Sequence, residues 1–339
     1  MALNRTELLG LMKTVAKANP SAAIAYSFGE KQYDYETLNE TLRQEMAEYA
    51  GTYAQYRENK NLIFALMEEV LDDILPKKVM EQYGSFAEVK TFGQGDKPVF
   101  VKRTGKNRAK QFITKVGLAG IYEVFKLGSK SFEVETTAYG GAAQIGLEEF
   151  LDGKVDFAEL TQIVLEGLDE KVYEEIANAL KTVIGQIQTS NKHAQSGFNE
   201  TAFDNLLNIA SAYGQPVIYC TFEFASKMIP QEGWISDAMK NERWSKGYFA
   251  NYKGRRVIIL PQSYTDETNT TKVVDPGYCW ILPSADAKPV KIAFEGATIV
   301  DEYVNADRSR EIQAYKKFGV ATLATNDMFV YIDEDLTIE

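Results

Sequence analysis

Histidine is nearly missing from these 339 residues; His193 is the only one. A metal site built on several histidines is therefore excluded within one chain, and any Ser–His–Asp arrangement would have to run through that single ring. No G-x-S-x-G elbow accompanies it, and its polar surroundings, residues 186–199, predict an ordinary solvent-exposed loop histidine. Cysteine is almost as scarce. Cys220 and Cys279 cannot supply a disulfide framework or a metal cluster, and such a count fits folding in a reducing cytoplasm. One stands at the end of an expected strand and the other inside one, which predicts small buried thiols. Apolar runs such as Val257–Leu260 are far too short to span a bilayer, and the first twenty residues lack the unbroken apolar core of a secretory signal. Low-complexity tracts, fixed-period repeats and a G-x-x-x-x-G-K-[ST] phosphate loop are all absent, and Gly93-Gln94-Gly95 lacks the third glycine of a dinucleotide fingerprint. No cofactor and no metal is expected.

What is present is an ordinary globular composition, 45% hydrophobic and 25% charged, with a net charge of −11. The charge is unevenly placed. Lys97, Lys102, Arg103, Lys106, Arg108, Lys110 and Lys115 follow one another with no acidic residue between them. Residues 133–175 then hold twelve acidic residues and two lysines. Two solvated faces would explain this; so would complementary surfaces that meet between identical subunits, where charge sets register and partner choice.

The first 85 residues read as three helices. Leu8, Leu11, Met12 and Val15 mark one that ends at Asn19-Pro20. Leu38, Leu42, Met46, Tyr49, Tyr53 and Tyr56 mark a second with Asp34 as its cap, and Leu62, Leu66, Val70 and Ile74 a third, stopped by Pro76. From Phe86 to Phe132 the character is strand. Val89–Phe92 and Val99–Val101 flank Gly93, Gly95 and Pro98, which predicts a long basic hairpin too poor in apolar residues to be core. Phe157, Leu160, Val164, Leu168, Val172, Ile176, Leu180 and Val183 then keep helical spacing, with Asp156 and Glu159 as an opening cap and Gly185 at the far end. At about 1.5 Å per residue that helix is about 40 Å long. Helix and strand alternate afterwards: a helix at Thr201–Ala212, a strand at Pro216–Cys220, a short helix from Phe222 after the cap Thr221, and a strand at Arg256–Leu260. Strands follow at Tyr278–Leu282, Val290–Phe294, Ala297–Val304, Ile312–Phe318 and Met328–Ile332. The class is α+β with an antiparallel bias.

Chemistry is not legible. Carboxylate pairs such as Glu148-Glu149, Asp72-Asp73 and Asp333-Glu334-Asp335 are what 48 acidic residues produce by chance, so a soluble hydrolase using acidic residues stays open but nothing selects its pair. A nucleic-acid binder using Lys97–Lys115 would lack the aromatics that stack on bases.

The order of parts resembles the major capsid proteins of tailed bacteriophages, the Hong Kong 97-type fold. Gly254-Arg255-Arg256-Val257-Ile258-Ile259-Leu260-Pro261 is similar to the G-x-x-V-x-x-x-P strand of the family's axial (A) domain. Arg310-Glu311-Ile312-Gln313-Ala314-Tyr315-Lys316-Lys317-Phe318-Gly319-Val320-Ala321 resembles the closing strand of its peripheral (P) domain. The resemblance implies an N-terminal helical arm at 1–85 and an E-loop hairpin with flanking strands at 86–132, the loop itself at Val89–Val116. It further implies a P-domain at 133–198 with its spine helix at Asp156–Ile184, an A-domain at 199–273, and P-domain return strands at 274–339. It implies a non-enzymatic shell subunit, found in the virion and folded in the bacterial host cytoplasm. Its partners would be copies of itself in hexamers and pentamers, a separate scaffolding protein, a portal and decoration proteins, around DNA held without sequence-specific binding and without a membrane. Lys97, Lys102, Arg103, Lys106, Arg108 and Lys110 against Glu159, Glu166, Asp169 and Glu170 would be the contact between neighbours. Lysine–asparagine crosslinks occur in a few relatives; no partner for a hairpin lysine is legible, and none is expected. An encapsulin-like nanocompartment is the alternative that shares the fold.

Overall fold

In the computed structural model the described residues are 4–18, 25–29, 31–102, 130–145, 157–229, 236–266, 268–283, 288–306, 309–323 and 327–338. Asn4 opens α1 (Arg5–Lys17) by accepting the Glu7 N–H while the Glu7 carboxylate accepts its own, a reciprocal cap. A small antiparallel pair, β1 (Tyr26–Phe28) and β2 (Lys31–Tyr33), leads to α2 (Tyr35–Ala50), capped by Asp34. The stripe from Leu38 to Tyr56 is not one helix. It breaks at Gly51, and Thr52 starts α3 (Tyr53–Tyr83) by accepting the Gln55 N–H.

Helix α3 runs through Pro76 instead of stopping there. An interior proline costs about 3 kcal/mol, because the carbonyl four residues back loses its donor. Ile63, Leu66, Met67, Val70, Leu71, Ile74, Leu75 and Val79 are all buried on this helix, so packing on both sides of the proline outweighs the local preference. Tyr83 in the last turn stacks on Tyr173 at 5.4 Å.

The chain continues through β3 (Ala87–Phe92), β4 (Val99–Lys102), β5 (Lys130–Glu133), β6 (Thr137–Ile145) and the long α4 (Phe157–Val183). Next come β7 (Lys192–Gln195), α5 (Glu200–Ser211), β8 (Pro216–Cys220), α6 (Phe222–Lys227), α7 (Asp237–Lys246), β9 (Asn251–Tyr252) and β10 (Arg255–Ile259). The end is all strand: β11 (Tyr278–Pro283), β12 (Val290–Val304), β13 (Arg310–Thr322) and β14 (Phe329–Asp333). Asp156, expected to cap the long helix, lies outside the described residues.

Two sheets organise the body. One has the order β3-β12-β13-β6, the other β7-β14-β11-β8-β10-β9. The fold is α+β and most pairings are antiparallel, with β3–β12, β7–β14 and β8–β10 parallel. Strands β12 and β13 are single long elements; the break expected near residue 296 is an irregularity within β12, where Gly296 has φ +67°. Just past the end of β3, the Thr298 and Val300 N–H groups are taken by carboxylates of α3, Asp72 at 2.8 Å and Glu68 at 2.9 Å. Helix α3 is thereby pinned to the sheet by hydrogen bonds as well as by apolar packing.

The six-stranded sheet separates two cores by strict alternation. Tyr219, Trp280, Leu282, Val330 and Ile332 face the core shared with α1–α4, while Ile218, Cys220, Cys279, Ile281, Phe329 and Tyr331 face the core under α5 and α6.

The expected hairpin is paired differently. Val89–Phe92 belongs to β3 beside β12, and Val99–Lys102 pairs with Lys130–Glu133, so the ribbon is β4–β5. Residues 93–98 carry the chain from one sheet to the other: Asp96 accepts the Gly93 N–H at 3.1 Å, Glu295 accepts the Gly95 N–H at 3.1 Å, and Gly95 has φ +81°. Phe100, fully buried, holds the ribbon's base against Val134 and Ala293. His193 is likewise not in an exposed loop. It is a half-buried residue of β7, paired in register with Tyr331, whose ring lies 5.4 Å away.

Candidate assembly interface

The ten charged residues singled out by sequence separate into three groups. Lys97 lies in the β3–β4 connection, its side chain 77% exposed and its Nζ 3.4 Å from Glu133. Lys102 ends β4 opposite Lys130. Arg103, Lys106, Arg108 and Lys110 lie outside the described residues. The four acids all lie on α4. Asp169 is buried and faces inward, 2.9 Å from Lys78 of α3, and Glu159 stands 4.0 Å from Arg43 of α2. Glu166 and Glu170 are exposed. Among the described residues no ion pair joins Lys97 to any of these four acids. Asp169 thus serves to hold α3 on α4, and the outward acidic face of α4 is carried by Glu159, Glu166 and Glu170.

Beside the exposed Lys97, the ribbon presents apolar groups. Val99 and Val101 on β4 are 40% and 50% exposed. On the body, Ile163 of α4 is 59% exposed at the edge of a cleft of about 350 Å³ between α4 and the Gly140–Ala143 stretch of β6. Sequence reasoning missed a further surface. Helix α7 contains no buried residue, and Trp244 at its C-terminal end is 93% exposed. The signal was available, since Asp237–Lys246 is a capped segment without an apolar stripe: Ser236 accepts the Met239 N–H at one end and Gly247, φ +79°, closes the other. Tryptophan is enriched at protein interfaces relative to the rest of the surface.

Reactive groups are arranged differently. The His193 ring meets the Gln195 side chain at 3.2 Å, and Cys220 and Cys279 are fully buried. Among the described residues no three His, Cys, Asp or Glu side chains are placed to hold a metal ion. Asp333, buried under Lys227 at 3.5 Å, accepts the N–H groups of Gly197 and Asp335 and fastens the C-terminal turn.

The profile of a protein family described as "SPbeta prophage-derived putative capsid protein YonB" matches residues 7–333. The chain belongs to the YonB capsid-protein family. That match spans nearly the whole chain and assigns it a structural role as a phage capsid shell protein, one that associates with copies of itself. No curated protein sequence matches the chain. Among solved structures, the head of Helicobacter pylori bacteriophage KHP40 aligns 90% of its chain with 74% of this one at 12% identity and a TM-score of 0.47. The capsid of cyanophage P-SCSP1u aligns 87% of its chain with 74% of this one at 10% identity and a TM-score of 0.47. The holo-SrpI encapsulin of Synechococcus elongatus PCC 7942 aligns 86% with 74% at 10% identity and a TM-score of 0.44. For this YonB-family chain, no helix among the described residues is long and apolar enough to cross a membrane.

Proposed function

We propose that this chain is the major head protein of a tailed phage or prophage, closing through hexamers and pentamers into an icosahedral shell around double-stranded DNA. The observation that carries the proposal is the YonB capsid-family match over residues 7–333. In this reading the Hong Kong 97-type parts are an N-terminal helical region at 1–85, an E-loop region at 86–132 built on the β4–β5 ribbon, a P-domain at 133–198 and 274–339 with α4 as its spine, and an A-domain at 199–273. Heterologous contacts between copies close into rings, and the exposed Trp244 and the basic ribbon are the groups such contacts would cover. A net charge of −11 keeps the bulk of the inner wall from gripping a polyanion, so DNA is contained without being read. A scaffolding protein, a portal and decoration proteins are further partners in this reading, the subunit folds in the host cytoplasm, and it catalyses nothing.

The test is particle size by light scattering, with negative-stain electron microscopy. The wild-type chain is expected to give closed shells or pentamer and hexamer rings, and the quadruple change of Lys102, Arg103, Lys106 and Arg108 to Glu a folded subunit that does not assemble. A persistent wild-type monomer across salt, crowding and a supplied scaffold refutes the reading. Normal shells from the quadruple variant refute the electrostatic contact alone, and shells filled with protein and free of nucleic acid refute the genome container.

A further inference from the structure

Cys220 ends β8 and Cys279 is the second residue of β11, and these strands are antiparallel neighbours in the middle of the six-stranded sheet. The register pairs Trp280 with Tyr219 and Ile281 with Ile218, so the next pair outward is Cys279 with Cys220. Antiparallel pairs come in two kinds, and the backbone hydrogen bonds determine which this is. The Cys220 carbonyl accepts the Leu260 N–H at 2.8 Å, on the β10 side, which turns its main-chain polar groups away from β11. From the other strand, the Asp333 N–H donates to the Gly277 carbonyl at 2.8 Å, so Gly277 and, two residues on, Cys279 direct their polar groups toward β14 and away from β8.

Cys220 and Cys279 therefore face each other as a non-hydrogen-bonded pair, the kind with the shorter Cα separation, about 4.5 Å. Disulfides span Cα separations of roughly 4.4–6.8 Å. Both side chains lie on the same face of the sheet, in the core with Ile218, Ile281, Phe329 and Tyr331, and both are fully buried. Burial, reinforced by the neighbouring Cys220 thiol, raises the Cys279 thiol pKa well above the ordinary range. In a reducing compartment the Cys279 thiol therefore stays protonated.

We propose that Cys220 and Cys279 form an oxidative modification site, a cross-strand thiol pair that closes into an intrachain disulfide when the folded chain meets a small peroxide oxidant. One thiol, ionised during a local opening, attacks hydrogen peroxide and becomes a sulfenic acid with release of hydroxide. The second thiol attacks that sulfur, the S–S bond forms, and water leaves. In sum two thiols and one peroxide give one disulfide and two waters, the sulfurs being oxidised and the peroxide reduced. Full burial selects a small oxidant over a bulky disulfide such as oxidised glutathione. The bond would fasten the two middle strands and close the whole segment between them, α6, α7, β9 and β10, into a covalent loop. Its biological setting rests on the shell reading, in which the chain passes from a reducing cytoplasm to an oxidising exterior; the chemistry itself does not.

The experiment treats the native, unassembled wild-type chain and separately its particles with hydrogen peroxide, then measures free thiols after denaturation, intact mass, and linked peptides. The expected result is loss of both thiols, a mass lower by two hydrogen atoms, and a Cys220–Cys279 peptide, reversed by a thiol reductant. Added oxygen on either cysteine without the link, links between chains, or two unchanged thiols would each overturn the proposal. Cys279→Ser must lose the link and keep a single titratable thiol; a mass lower by two hydrogens in that variant also overturns it. The unassembled chain suffices for all of these, so failure of shell formation and failure of the thiol pair are read separately.

Discussion

Removing the Asp72 carboxylate tests how α3 is held to the sheet. Lys316 on β13 is 2% exposed, with its Nζ 2.6 Å from Asp72 Oδ1 and 2.6 Å from the Gly296 carbonyl. The same Asp72 oxygen accepts the Thr298 N–H at 2.8 Å and the Thr298 hydroxyl at 2.6 Å. Asp72→Ala strands an ammonium with one carbonyl for company. Breaking a buried ion pair from one side costs about 3–5 kcal/mol. The two hydrogen bonds to Thr298 add about 1 kcal/mol each. Because 31% of the Asp72 side chain is exposed, water replaces part of what is lost, and the net expectation is about 3–4 kcal/mol. Set against a total stability of about 5–15 kcal/mol, that is a large fraction. Asp72→Ala combined with Lys316→Met removes the stranded charge and should recover at least about 1.5 kcal/mol relative to the sum of the single changes. Urea unfolding of unassembled subunits, followed by circular dichroism, measures all four corners of the cycle. A single-variant cost below about 1 kcal/mol, or strict additivity, would refute the reasoning.

Two smaller tests follow. At Gly319 of β13 an added Cβ would strike the Glu135 carbonyl and stand 3.2 Å from the Thr136 Cα, whereas at Gly141 of β6 it would meet nothing within 4 Å. Gly319→Ala should cost about 1–3 kcal/mol in urea unfolding and Gly141→Ala at most about 0.5 kcal/mol, and equal costs would show that the backbone gives way. The Thr268 and Thr270 hydroxyls, with the Thr271 N–H, hold the Asp266 carboxyl well below the usual carboxylate range. A depressed carboxylate contributes fully above its unfolded pKa and loses that contribution only as pH falls through the folded one. Hydrogen-exchange protection of Thr270 and Thr271, corrected for intrinsic exchange, should therefore be unchanged from about pH 7 to about pH 4, and loss of protection within that window would contradict the assignment.

The elements that sequence made legible are those whose signals are local. The apolar spacing from Phe157 to Val183, the Thr221 cap and the apolar run Pro216–Cys220 each appear where expected. The signals that failed are local preferences overridden from afar. Pro76 reads as a stop only until the buried residues on both sides of it are known, and Val89–Phe92 reads as a hairpin arm only until Val290–Glu295, some two hundred residues later, is seen to pair with it. His193 reads as a loop residue because Lys192–Gln195 has no apolar alternation of its own; β14 beside it supplies the context. Of the candidate interface, the charge blocks were legible and their division was not: nothing in the sequence separates Asp169, turned inward to Lys78, from Glu166 and Glu170, turned to water.

The placement of β14 bears on synthesis. This strand is the neighbour of β7, and β12 is the neighbour of β3, so β7 and β3 have no strand to pair with until those later strands have left the ribosome. At roughly 5–20 residues per second the nascent chain spends tens of seconds with its early strands unpaired. Contacts of such long sequence range also form slowly once the chain is whole. A partly translated chain therefore lacks the edges that β3 and β7 contribute to the two sheets.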